Sequence, residues 1–299
     1  MGRLRRRVYQ AIDVARELFI VMWLRIPQPR RIERKKTEIP VIASLTSHPG
    51  RIQHVWLSVE TLLRQTVKPQ ALVLILSLEE FPGRKIPTKL SAQARRGLII
   101  KWVDQNHGSF DKLLPIRTLY PNSAIATFDD DKYFPKDILY RLHQASTLHP
   151  TAVIGARGWR IKPSVTDNRV HYGDGWDRIT GPATGRDLLM PGGNGCMYPH
   201  DSLDPEVDNW SAALKICPTA DDIWFWGSLT KAESPSHCLG LPAHRPVKRQ
   251  QESAALSGIN RSRNDQQFTA AIKHFRLEDF IDNFHLSQST EVKEGNERE

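Results

Sequence analysis

Cysteine is sparse in this 299-residue chain: Cys196, Cys217 and Cys238 stand alone, and no two form a Cys-x-x-Cys pair. That excludes a disulfide framework or a zinc knuckle and suits a reducing, cytosolic setting. Long apolar runs are missing from the N-terminal region as well. Its unbroken apolar stretch, residues 18–24, holds seven residues between Glu17 and Arg25, whereas a bilayer span needs about 20. The polar sequence Pro27-Gln28-Pro29-Arg30-Arg31 follows in place of a small-residue cleavage site, so a signal peptide is not expected either. The glycine cluster at 192–195 lacks the Gly-Lys-Ser/Thr that a P-loop requires.

Charge is the next absence, because the net +9 does not extend over the body of the chain. Residues 1–36 contain 11 Lys and Arg against Asp13, Glu17 and Glu33, whereas the remaining 263 residues carry 31 basic and 30 acidic side chains. An anionic partner is therefore expected for the N-terminus alone, and a nucleic-acid-binding body is not. In that segment Val8, Ile12, Ala15, Phe19, Met22 and Ile26 recur at helical spacing, with Leu18 and Val21 widening the stripe. This predicts a basic amphipathic helix suited to the headgroup layer of an anionic membrane, with Trp23 near the interface. A helix packed on the domain or on a partner subunit is the simpler alternative.

Beyond a polar linker the pattern is that of a globular domain, 39% of the whole chain being hydrophobic. Apolar strand candidates at 39–45, 71–77, 97–103, 124–128 and 152–156 alternate with helical patterns at 55–65, 112–120 and 137–148. That alternation predicts an α/β fold with a mostly parallel sheet flanked by helices. Residues 158–218 lose periodicity, a helix resumes after Asp221-Asp222, another is expected over 266–286, and 287–299 should be a disordered tail. The expected organisation is a helix and linker over 1–37, one domain over 38–286, and the tail.

The chemistry centres on Asp129-Asp130-Asp131, three carboxylates at the end of the strand over 124–128. Strand interiors disfavour Asp, and open α/β sheets bind ligands at strand carboxyl ends. Mutually repelling carboxylates are relieved by a hard divalent cation, so Mg²⁺ or Mn²⁺ holding a substrate phosphate is the leading reading, and a solvated acidic turn the simpler one. Asp221-Asp222, about ninety residues on, form a second acidic pair at a helix start, where Asp221 is expected to cap the helix while Asp222 points into the cleft, the simpler reading being a cap with favourable helix-terminus charge alone.

The Thr46-Ser47-His48-Pro49-Gly50-Arg51 turn, the Gln65-Thr66-Val67-Lys68-Pro69 helix ending, FDDDKYFP and PTADDIWFW, in this order, resemble bacterial nucleotide-sugar-dependent glycosyltransferases of the GT-A fold, in the group that builds cell-surface polysaccharides. The resemblance covers about residues 39–284. It implies that Asp131 and Asp129 hold the cation, with Asp129 or Asp130 on the donor ribose, and that Thr46, Ser47 and Arg51 line the donor loop. It places Glu79, Asp104 and Lys112 on the same sheet edge, Lys112 as a diphosphate contact. It makes Asp222, or failing that Asp221, the base of an inverting transfer, and Gly192 and Gly193 part of an acceptor-side loop. His237 and His244 are candidate third metal ligands, while Trp159, Tyr172, Trp176, Trp210, Trp224 and Trp226 offer faces to a sugar or to the core. The implied partners are a nucleoside-diphosphate sugar and a saccharide or lipid-linked acceptor, on the cytoplasmic face of the membrane. Rival readings are a metal-dependent nucleotidyl- or phosphoryltransferase and a membrane-recruited, non-catalytic binding protein.

Overall fold

The computed structural model of the chain describes residues 3–26, 28, 37–164, 166–247 and 256–282. Most of the expected linker, the tail and Phe284 lie outside those residues. The elements run α1 (Arg3–Arg25), β1 (Glu38–Thr46), α2 (Trp56–Leu63), β2 (Lys68–Ser77), α3 (Thr88–Ala94) and β3 (Leu98–Val103). After a 3₁₀ turn at Gly108–Lys112 come α4 (Leu114–Leu119), β4 (Ala124–Phe128), β5 (Lys132–Tyr133), α5 (Ile138–Leu148) and β6 (Val153–Gly155). Short strands follow: β7 (Trp159–Arg160), β8 (Asp177–Arg178), β9 (Ala183–Gly185), β10 (Leu188–Leu189) and β11 (Cys196–Tyr198). The chain ends with α6 (Trp210–Ile216), α7 (Asp221–Lys231), β12 (Ser236–Cys238), β13 (Arg245–Pro246) and α8 (Leu256–Phe275).

Eight strands form the central sheet in the order β3-β2-β1-β4-β11-β6-β12-β9. Strands β3, β2, β1 and β4 pair in parallel, and β12 is parallel to β6. Only β11 and β9 run against their neighbours. The fold is thus α/β, Rossmann-like and mostly parallel. Strands β1 and β2 are apolar nearly throughout because both sheet faces are covered. Ile42, Val73 and Ile75 point into a core shared with Trp224, Phe225, Phe268 and Phe275. Val41, Ala43, Leu45, Leu72, Leu74 and Leu76 point the other way, onto Leu57, Val59, Leu62, Leu90, Leu139 and Leu142. Each fully buried aliphatic side chain contributes about 1.5–3 kcal/mol, so this double sandwich holds the strand ends rigidly.

The Gln-Thr-x-x-Pro segment ties the two layers together. Gln65 is fully buried, donating to the Pro135 carbonyl at 2.7 Å and accepting from Leu139 N at 3.1 Å. These bonds seat α5 directly behind the acidic run.

Four expectations need correction. The helix expected over 112–120 is a 3₁₀ turn followed by α4, because Pro115 sits in the first turn of α4 and fits a helix start better than an interior. Residues 158–218 are not irregular: they hold β7 to β11 and α6, strands too short to show a period. The helix expected over 266–286 begins earlier, at Leu256, and is interrupted: Arg276, with a φ of 59°, ends α8 at Phe275, and helical residues resume over 278–282. The predicted apolar stripe on α1 faces solvent, with Ile12, Phe19, Met22 and Ile26 each more than half exposed. Val21, expected to widen that stripe, lies instead with Glu17 and Leu24 on the opposite face, which packs on the body. Arg64 fixes that contact, donating to the Leu24 carbonyl at 3.0 Å, with its guanidinium 4.4 Å over the Trp23 ring.

Candidate functional site

Strands β1 and β4 lie side by side in parallel, so Thr46 and Asp129 emerge at the same edge of the sheet. A cavity of about 260 Å³ opens there, lined by Thr46, Ser47, His48, Arg51, Glu80, Asn106, Gly108, Ser109, Lys112, Phe128, Asp129 and Asp130. The first turn and the acidic run are joined across it. Ser47 Oγ donates to Asp130 Oδ2 at 2.6 Å, and Arg51 Nη1 donates to Asp130 Oδ1 at 2.8 Å. Arg51 Nη1 also reaches Asp131 Oδ2 at 3.2 Å. Asp130 is buried with both oxygens engaged by these partners, so its carboxylate braces the turn, and Arg51 spends this nitrogen on carboxylates. Thr46 Oγ1 is used on the Ile75 carbonyl at 3.1 Å.

Asp129 faces two ammonium groups, Lys132 Nζ at 2.6 Å and Lys112 Nζ at 3.4 Å. Burial acts to raise its carboxyl, but Lys132 and then Lys112 overcome this and hold it well below the usual carboxylate range. Asp131 behaves in the opposite way: burial, then the neighbouring Asp129 charge, push it up. Its Oδ1 is buried with no hydrogen-bond partner. A buried acceptor left in that state beside a second carboxylate is suited to a cation. Among the described residues no group of three or more His, Cys, Asp and Glu converges on one point. The protein therefore fits a cation with at most the pair Asp131 and Asp129, leaving the other positions to substrate phosphate and water.

Lys112 does not pair with its neighbour Asp111, which instead accepts from His107 N and contacts its ring at 3.1 Å. The Lys112 ammonium is buried and reaches across to Asp221 Oδ2 at 3.0 Å. Burial alone would lower its pKa, but Asp221, Asp129 and Asp222 outweigh that and raise it well above its ordinary value. This lysine thus links the acidic run to the second acid pair.

The second pair stands at the start of α7. The residue before the helix is Ala220, with no side-chain cap, so the expectation that Asp221 caps the helix is corrected: its carboxylate is taken by Lys112. Asp222 is partly exposed, and its Oδ1 accepts from Gly192 N at 2.8 Å. Burial, then the adjacent Asp221 charge, push its carboxyl up to about 7.

Between the two acid groups lies the glycine loop. Gly193 O accepts from Asp129 N at 3.0 Å, and Gly192 O accepts from Thr127 Oγ1 at the same distance. A side chain at Gly193 would overlap the Asp129 carboxylate, and one at Gly192 would press on Thr127 Oγ1 at 2.9 Å. The loop owes its place to β11, which enters antiparallel beside β4.

Not every expected residue reaches the cavity. Glu79 is exposed and accepts from Asn106 N at 3.0 Å, and Asp104 is exposed, offering its carbonyl to Glu79 N. Their neighbours Glu80 and Asn106 line the cavity instead. His237 stacks on His149 and bonds Thr184 Oγ1 at 2.8 Å, outside it. His244 lies 2.8 Å from the Asn194 carbonyl, on the rim of the glycine loop, and burial pushes its pKa down to about 4. Trp224 and Trp226 belong to the core. Sequence reasoning missed Lys132, signalled only by its position directly after the three acids, and the cavity residues His48 and Ser109.

No protein-family model matches the chain, and no curated protein matches it. Solved structures do. TarS 1-349 of S. aureus in complex with UDP aligns at 12% identity and a TM-score of 0.43, covering 69% of this chain and 59% of that one. The same protein in complex with UDP-GlcNAc aligns at 13% identity and 0.44, covering 69% and 57%. A 4-diphosphocytidyl-2C-methyl-D-erythritol synthase aligns at 10% identity and 0.43, covering 74% of this chain and 97% of that one. In both TarS alignments the chain spans less than two thirds of the other structure.

Proposed function

We propose that the chain is an inverting, metal-dependent glycosyltransferase that moves a sugar from a nucleoside-diphosphate donor to a hydroxyl of a saccharide or lipid-linked saccharide. The observation that carries this reading is Asp222. A partly exposed carboxylate raised to about 7 sits one glycine loop away from the Asp129-Asp130-Asp131 run. A base of that pKa can take the proton of an attacking hydroxyl near neutral pH, and one such base is what a single displacement needs. Because Asp222 and the acidic run bond the adjacent glycines Gly192 and Gly193, the base stands close to the donor, which would bring the acceptor oxygen and the donor together.

The roles of the other residues follow from their contacts. Ser47 and Arg51 hold Asp130 and so fix the acidic run against the first turn. The cavity of about 260 Å³ is smaller than the ~300–1,000 Å³ of a site enclosing a whole ligand. It suits the nucleoside and diphosphate, with the sugar extending past Asp129. Asp131 and Asp129 would hold Mn²⁺ or Mg²⁺, which when bound supplies Lewis-acid neutralisation of the departing diphosphate. Lys112 pairs with Asp221 and places a positive charge beside Asp222. In this reading the exposed stripe of α1 rests on an anionic membrane surface.

A thermal-shift panel of nucleotide sugars and nucleoside triphosphates, with and without Mn²⁺, tests the reading. A nucleotide sugar should raise the melting temperature by mass action, and more so with Mn²⁺. A shift with triphosphates alone would instead favour nucleotidyl transfer.

A further inference from the structure

Glu17 is the buried carboxylate of a helix that shows solvent most of its described side chains, at 7% exposure against 58–70% for Ile12, Phe19, Met22 and Ile26. A charge is not buried without partners, and the partners of this one are specific. Glu17 Oε1 accepts from the Tyr133 hydroxyl at 2.7 Å, and Oε2 pairs with Arg245 Nε at 3.3 Å. Arg245 also donates to Asp13 Oδ1 at 3.0 Å, one turn earlier on the same helix. Tyr133 and Arg245 stand opposite each other in the two-stranded ribbon of β5 and β13.

That ribbon is continuous with the acidic run. Strand β5 starts at Lys132, whose ammonium holds Asp129, and Val247 N donates to the Asp131 carbonyl at 2.7 Å. Ser58 Oγ donates to the Asp130 carbonyl at 2.7 Å and accepts from Lys132 N at 3.1 Å, securing the segment from the α2 side. On the α1 side Glu17 grips both strands of the ribbon, through Tyr133 and Arg245, with Asp13 holding Arg245 beside it.

We infer that Glu17 is a positioning residue for the 129–132 segment, acting through Tyr133 and Arg245, so that α1 is a working part of the site as well as a surface element. Its consequence for donor binding rests on the function proposed above, whereas the positioning itself does not. With Glu17 removed, the Tyr133 hydroxyl loses this acceptor and Arg245 is left with Asp13, so the ribbon loosens and Lys132 and Asp131 drift with it.

Hydrogen–deuterium exchange on the full-length protein tests this without any ligand. In Glu17→Ala, exchange over 129–134 and 244–247 should rise by about tenfold or more, the scale of losing a charged acceptor from a buried pair. Exchange in β2, residues 68–77, should not change. Glu17→Gln keeps an oxygen for Tyr133 and should lie close to the unsubstituted protein. Unchanged exchange over 129–134, or an equal rise in β2, would overturn the assignment. If Glu17→Ala does not fold, Tyr133→Phe, which removes only the hydroxyl, decides by the same criteria. A second arm titrates ADP, CDP, GDP and UDP in the presence of Mn²⁺. If none binds the unsubstituted protein, the donor reading fails while the exchange result still decides the role of Glu17. If one binds, Glu17→Ala should weaken it several-fold, and equal affinity would overturn the functional consequence.

Discussion

Asp222 and His244 illustrate how burial sets chemistry one side chain at a time. With Asp222 as base, Asp222→Asn should lower sugar transfer by about 10²–10⁴-fold while donor affinity is kept, measured by steady-state kinetics and titration. Only the carboxylate is a base, so the rate should climb as pH rises through about 7. His244 follows the opposite logic. Its folded pKa of about 4 lies below its ordinary value of 6.5, so between those values the unfolded chain binds more protons and stability falls as pH falls. His244→Asn should flatten the dependence of melting temperature on pH in that window. Residues of this kind are only half legible in a sequence. The acids stand out because they interrupt apolar runs, but the partners of Lys112, at positions 129 and 221, are distant in the chain. Nor does local pattern say which member of Glu79-Glu80 turns inward.

At the level of elements, the seven-residue α3 was missed, but strands β1 to β4 were readable as apolar runs, as β2 shows with ten residues, and α2 and α5 by their period. Strand β11 was not. It has three residues, lies between strands that are distant in sequence, and runs against both. Yet it carries the loop that contacts both acid groups. Gly193 leaves room for the Asp129 carboxylate and Gly192 for the Thr127 hydroxyl, with which any side chain there would collide. Gly193→Ala should therefore displace Asp129 and weaken binding of Mn²⁺ with nucleotide by tenfold or more, on the order of ~1.4 kcal/mol, while the thermal unfolding transition stays cooperative. Calorimetric titration beside a melting curve checks both halves.

Across the whole molecule, charge and apolar exposure both concentrate on α1 and the residues after it. Ile12, Phe19, Met22 and Ile26 are exposed on one side, and residues 1–36 hold the excess of positive charge. No helix among the described residues is long and apolar enough to cross a membrane, so an apolar face flanked by arginines suits the headgroup layer. Substituting Ser at both Phe19 and Met22 should abolish sedimentation with vesicles rich in anionic lipid, and added salt should weaken binding of the unsubstituted protein. Removing residues 1–26 would be a poorer test, because it also removes Glu17 from Tyr133 and Arg245. The sequence pattern disclosed the helix and its stripe but not which side met the body, since Val21 and Leu24 are as apolar as the residues left in solvent.

The glycine loop has one more consequence. Asp129 bonds Gly193 and Asp222 bonds the adjacent Gly192, so any change in backbone course at 192–194 alters both at once. If the proposed roles hold, donor scope and acceptor scope are then not separate variables in redesign. On that reading a library that varies this loop should trade one against the other, whereas one that holds the loop fixed and varies the cavity residues Glu80, Asn106 or Ser109 should change donor preference alone.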